Sequence, residues 1–236
     1  MGLCLRDVSL RSGSLTILRQ ENLELRKGQT LVVTGQNGVG KSTFLYLCAG
    51  LLPATSGKVE LDRHVVDTLR PSELIHRGVR RGVVFQHGGL LSNMSALANV
   101  SLGLSYHKDV FKLSDEAIDT RAREALAAVG LHGLEIHAIP SRLSYGLRKR
   151  LAFARALALE PNFVFCDDPD SGLDAANTRI IHDRLVRWRD DPEVTSIIVT
   201  NHKMLIDRLA IPAYELSEGQ LIEHEVWSGT HSPSIV

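Results

Sequence analysis

Apolar residues fall in short strand-like runs through the first part of the chain, at residues 3–10, 15–25 and 30–34. The third run, Leu31-Val32-Val33, ends at a glycine loop. A helix is predicted to start near Lys41, to carry Phe44, Leu45, Leu47 and Leu51, and to stop before Pro53. Residues 57–61 and 82–85 read as further strands, the second ending at Gln86. Strand signals then vanish between residues 87 and 150. There Ser114-Asp115-Glu116 opens a segment with apolar positions at Ile118, Ala122, Ala125, Leu126 and Val129, which is helical spacing, and Gly130 closes it. Alternation resumes with strands at 163–166 and 196–200 around a helix at 175–188 capped by Asp174. Residues 214–223 read as a hairpin about Glu218-Gly219, and residues 229–236 are expected to fray. Strands alternating with helices predict an α/β fold with a parallel sheet covered on both faces. A helical insertion at 87–150 would divide a core made of residues 1–86 and 151–236.

Composition narrows the class. The chain has 236 residues, 44% apolar and 23% charged, ordinary for a globular protein able to bury a core without disulfide or metal. Its three cysteines are far apart, and Cys48 and Cys166 sit in apolar runs, which predicts a reduced, cytosolic chain. The 27 basic and 27 acidic residues cancel, so no nucleic-acid partner is expected. No run approaches the roughly 20 apolar residues that span a bilayer. The first residues lack a charged leader followed by an apolar core, so no signal peptide is expected. A membrane role would need a partner to hold the chain there.

The glycine loop carries the sharpest chemistry. Gly35-Gln36-Asn37-Gly38-Val39-Gly40-Lys41-Ser42 follows an apolar strand and opens a helix, the context a phosphate-binding loop requires. Glycines let successive N–H groups point at one anion, and the helix start adds positive potential. Gly35, Asn37, Gly38, Gly40, Lys41, Ser42 and Thr43 are the candidate phosphate contacts, with Ser42 also offering a hydroxyl to Mg²⁺. Residues 163–167 form a buried strand delivering Asp167 at its C-terminal end, where α/β sheets bind ligands. The Asp-Asp-Pro-Asp sequence there is also turn-rich, so a plain strand-ending turn stands beside the metal reading.

Together these segments resemble the nucleotide-binding subunits of ABC transporters over nearly the whole chain. Gly35 to Ser42 matches the Walker A loop, Gln86 the Q-loop, and Leu143-Ser144-Tyr145-Gly146-Leu147 the LSGGQ signature. Asp167 matches the Walker B aspartate, Ser171-Gly172-Leu173-Asp174 the D-loop, and His202 the switch histidine. The resemblance implies a P-loop ABC ATPase core with a mixed sheet, an N-terminal antiparallel β part and an α-helical signature subdomain. It also implies a head-to-tail dimer, with ATP held between one copy's Walker loop and the other's Ser144 and Gly146, and Asp174 nearby. Gly146 precedes a helix expected at 147–154, whose start would be a second anion site. Mg²⁺ would be held by Ser42, Asp167 and Gln86. Asp168, Gln86 and His202 would act in hydrolysis. Partners would be a second ATPase subunit and transmembrane permease subunits, with the chain peripheral on the cytoplasmic face of the membrane.

Three positions depart from the family pattern. Asp168 stands where glutamate is usual, its carboxylate about 1.5 Å further back, which predicts slow hydrolysis. Tyr145 and Leu147 replace the first glycine and the last residue of the signature. The aromatic that usually stacks on adenine is missing, and Leu10 or Arg11 occupies its region. A guanidinium can stack on a base, although a solvated surface arginine is the plainer reading. Residues 85–95, from Phe85-Gln86-His87 to Met94-Ser95, are similar to the ATPases of Mla-type phospholipid transporters, which implies lipid cargo. The same segment suits lipoprotein-releasing or cell-division ATPases, and Leu90, Leu91 and Met94 also read as plain helical core. A weakly hydrolysing, nucleotide-gated interaction module is the remaining alternative.

Overall fold

The structure, a computed structural model, describes residues 2–224. The expected fraying at 229–236 lies outside the described residues.

Two sheets share one apolar layer. Strands β1 (Gly2–Ser12), β2 (Leu15–Arg26), β4 (Ser56–Leu61) and β5 (His64–Val65) form an antiparallel sheet in the order β2-β1-β4-β5. The second sheet has six strands in the order β10-β9-β3-β8-β7-β6. They are β3 (Thr30–Thr34), β6 (Arg81–Val84), β7 (Phe163–Asp167), β8 (Thr195–Val199), β9 (Ala213–Ser217) and β10 (Gln220–His224). All run parallel except β10, which returns antiparallel from β9 through Glu218 and Gly219, both at positive φ. Left-handed backbone at both central residues suits a tight hairpin turn.

The central strands are buried on both faces, which is why they read as unbroken apolar runs rather than alternating ones. Leu31, Val33, Phe165 and Ile197 face the antiparallel sheet, with helix α1 (Lys41–Cys48) packed into the same layer. Val32, Val164, Cys166 and Ile198 face the opposite way, into a helical layer. That layer holds α3 (Ala96–Tyr106), α5 (Asp115–Ala128), α6 (Tyr145–Ala158), α7 (Ala175–Asp190) and α8 (Lys203–Leu209). Two short helices, α2 (Pro71–His76) and α4 (Lys108–Phe111), complete the set. Among the described residues no helix is long and apolar enough to cross a membrane.

Several elements differ from their sequence expectation. Helix α1 ends at Cys48 rather than passing Leu51, because Gly50 takes φ +65 and turns the chain before Pro53 can stop it. Its Cβ-free face lies against Val66. Helix α6 starts at Tyr145, not Leu147: Ser144 caps it by accepting the Leu147 N–H, so Gly146 lies inside the first turn rather than before the helix. The expected junction at 150/151 falls within this helix. Ser114 and Asp174 cap α5 and α7 as the sequence suggests.

Candidate active site

A cavity of about 530 Å³ opens off the C-terminal ends of β3, β7 and β8. Its floor is the loop from β3 to α1. Two glycines there have no substitute. Gly35 takes φ +141, and a Cβ would lie 2.7 Å from the Leu216 carbonyl oxygen. Gly40 takes φ +105 at the helix start, and a Cβ would lie 2.7 Å from Ile17 on β2. The loop is therefore pinned between the two sheets. Lys41 donates through Nζ to the carbonyls of Gly35 (2.7 Å) and Gln36 (2.9 Å). Burial lowers its pKa, while Asp168 and Asp167 act in the opposite direction. Asn201 clamps the loop from β8: its Oδ1 accepts from the Gly35 N–H at 3.2 Å and its Nδ2 donates to the Gly35 carbonyl at 2.9 Å.

Asp167, buried at the end of β7, receives two hydroxyls. Ser42 donates to Oδ1 at 2.9 Å and Tyr46 to Oδ2 at 2.7 Å. Tyr46 was not anticipated, although Ser42 and Tyr46 are four apart and so share one face of α1. Burial and then the bond to Asp167 push the Tyr46 phenol well above its ordinary range.

The next residue, Asp168, has left-handed backbone at φ +45. Its N–H donates to the Val199 carbonyl at 2.9 Å, and its carboxylate accepts from Gln86 Nε2 at 3.4 Å. Its own carbonyl accepts from Lys149 Nζ at 3.0 Å and from Ser171 Oγ at 3.1 Å. Lys149 is a second residue that sequence reading missed. Only 1% exposed, it runs from α6 beneath the site, and burial lowers its pKa against the pull of Asp168, Asp170 and Asp167. Its place on the buried stripe Gly146, Lys149, Phe153, Ala156 was the available signal.

Asn37, Gly38, Gly40, Lys41, Ser42, Thr43, Gln86, Asp167, Asp168 and His202 all line the cavity. Other candidates lie elsewhere. Arg11 is exposed on β1, where its N–H donates to Thr55 Oγ1, and it is not among the lining residues. Ser144 and Gly146 are also outside the lining. Gly146 packs so tightly on α7 that a Cβ would lie 2.4 Å from Asn177 Nδ2. Both carboxylate oxygens of Asp174 are spent on Asn177, one on its N–H and one on its side chain, each at 2.8 Å. Tyr145, in place of the usual signature glycine, donates its hydroxyl to the Ser171 carbonyl at 3.1 Å and leans on Gly172.

A family model described as "ABC transporter" matches residues 18–171. The sulfate/thiosulfate import ATP-binding protein CysA of Bacillus cereus is 31% identical over 239 residues, covering 100% of this chain and 65% of its own length. The methionine import ATP-binding protein MetN of Pasteurella multocida is 35% identical over 210 residues, covering 89% of this chain and 59% of its own length. The chain thus spans somewhat less than two thirds of the length of these curated relatives. A solved dimeric structure of the ATP-binding cassette MJ0796, in a post-hydrolysis state bound to ADP and Pi, matches with a TM-score of 0.84 at 28% identity, covering 95% of this chain and 98% of that one. With the P-loop fold of that cassette and a family match across 18–171, this chain belongs to the ABC transporter family.

Proposed function

We propose that the chain is the ATP-hydrolysing subunit of a membrane transporter, working as a head-to-tail pair beneath transmembrane permease subunits on the cytoplasmic face of the membrane. One observation carries this reading. The chain holds two phosphate-seeking helix starts, at Lys41 and at Tyr145, and the second lies outside the cavity built on the first. In the proposed pair, Ser144 of a second copy completes the site. The MJ0796 cassette, described as dimeric and as holding ADP and Pi, supports both the pairing and the hydrolysis.

The donors fit Mg²⁺. The Ser42 hydroxyl and the Asp167 carboxylate lie 2.9 Å apart, both are hard oxygen donors, and Gln86 adds an amide oxygen on the same cavity. So few protein ligands suit an ion that keeps waters and takes phosphate oxygens. Held by Ser42, Asp167 and Gln86, Mg²⁺ would supply positive charge to offset that of the transferring phosphoryl group. The protein's own residues do the rest. Loop amides and Lys41 cradle the outer phosphates, Asp168 orients the attacking water, Gln86 steadies Asp168, and His202 faces the terminal phosphate. Arg11 and Asp174 lie outside the lining of this chain's own cavity.

Cargo is a separate matter. The relatives are named for sulfate, thiosulfate and methionine import, and none of those names mentions lipid. The lipid expectation therefore rests on sequence resemblance alone, at residues 85–95, Asn99-Val100, Leu147 and residues 150–161, and solute import is the reading the relatives favour. An inorganic anion and an amino acid appear at 31% and 35% identity, so cargo selection belongs to partner subunits rather than to this chain.

Phosphate release from Mg²⁺-ATP by the purified chain tests the reading. Lys41→Ala should lower turnover by about 10²-fold or more, and chelating Mg²⁺ should stop it. Turnover indifferent to both would place hydrolysis elsewhere.

A further inference from the structure

A buried carboxylate sits behind His202. Asp170 is 1% exposed and lies three residues beyond Asp167. Its Oδ2 is 2.7 Å from Nε2 of His182 on α7 and 3.0 Å from Nδ1 of His202 at the start of α8. The other oxygen, Oδ1, has no hydrogen-bond partner. His182 is 3% exposed, whereas the His202 side chain is 50% exposed and lines the nucleotide cavity. Two imidazoles thus converge on one oxygen from opposite sides, one sealed in the core and one open to the site.

Ionised, Asp170 can only accept hydrogen bonds. Burial by itself would raise its carboxyl, but bonds and charge from His182 and His202 hold it below the ordinary aspartate range. Both rings must then donate to it, His182 through Nε2–H and His202 through Nδ1–H. The neutral His202 ring is thereby committed to the Nδ1–H tautomer, and its Nε2 carries a lone pair. A lone pair cannot donate to a phosphate oxygen. Only after Nε2 gains a proton from solvent does the ring become a donor at that atom, and the Asp170 carboxylate then balances the new charge. The loop holding the ring is fixed as well: Asn201 is bonded twice to Gly35, and the His202 N–H donates to Thr200 Oγ1 at 3.0 Å.

We propose that Asp170, steadied by His182, is a positioning residue that holds Nδ1–H of His202 and so directs its Nε2 at the terminal phosphate. The proposal rests on the reading of the cavity as an ATP site.

Two measurements test this, one independent of ATP. In nitrogen-15 spectra of the nucleotide-free chain at alkaline pH, His202 should show the Nδ1–H tautomer, and Asp170→Asn should abolish that preference. In turnover, Asp170→Asn should lower kcat about 10-fold with KM unchanged. His182→Gln keeps an amide donor toward Asp170 and should retain the wild-type kcat, whereas His182→Leu should lower it as Asp170→Asn does. If Asp170→Asn does not fold, the wild-type tautomer and the two His182 variants still decide. A neutral His202 protonated on Nε2, or a kcat unmoved by these changes, overturns the proposal. A wild-type chain that hydrolyses nothing refutes the ATP-site reading instead, while the spectra still report on the Asp170 pair.

Discussion

Asp168 sits at φ +45, a backbone region that aspartate enters more readily than glutamate because its short polar side chain suits left-handed geometry. The same residue carries the carboxylate that faces Gln86. Two demands meet there in the proposed mechanism, one for a bend held by backbone hydrogen bonds to Val199, Lys149 and Ser171 and one for reach toward water. They oppose each other under Asp168→Glu. The longer side chain brings the carboxylate forward and should raise turnover roughly 10-fold. The strain should cost about 1 kcal/mol, seen as a Tm lower by about 2–4 °C. Steady-state phosphate release and calorimetry on the same preparation check both. If turnover stays flat and Asp168→Asn is equally silent, Asp168 does not orient the water.

Among the elements, the starts of α6 and α7 pack closely against each other outside the cavity. Gly146 has no room for a Cβ because Asn177 fills the space, and Asn177 in turn occupies both oxygens of Asp174. Gly146→Ala should push Asn177 off that cap and destabilise the chain by about 1–2 kcal/mol, even though alanine favours the helix. Adding Asn177→Ala should recover much of the loss, a coupling that a double-mutant cycle reads directly. Independent, additive losses would mean the glycine is not there for packing. These contacts also mark the limit of what the chain's sequence reveals. The loop from Gly35 to Ser42 is legible because its glycines, lysine and serine act within a few consecutive residues. The caps at Ser114 and Asp174 are legible for the same reason. Helix α6 was misplaced by two residues because Ser144 was read as a ligand contact and not as a cap. The Asp170–His182–His202 cluster left no local trace: its members are separated by 12 and 32 residues, and only the packing of α7 and α8 on β7 and β8 brings them together. Lys149 is hidden for a related reason, since a lysine in an arginine-rich helix reads as solvated until the helix is seen to bury that face.

At the scale of the molecule, the proposed function has a nucleotide gripped from one side by this chain. The floor, the Ser42–Asp167 pair and His202 lie at the ends of parallel strands, while the start of α6 lies outside the cavity lining. The central claim is that a second copy supplies it. Analytical ultracentrifugation of the Asp168→Asn chain, slowed in hydrolysis, tests this most directly, with Mg²⁺-ATP present and absent. The account predicts a dimer that appears only with Mg²⁺-ATP and is lost on adding Ser144→Arg, while single-chain nucleotide binding stays within about twofold. A chain that pairs equally well with Ser144→Arg, or that never pairs with nucleotide, contradicts it.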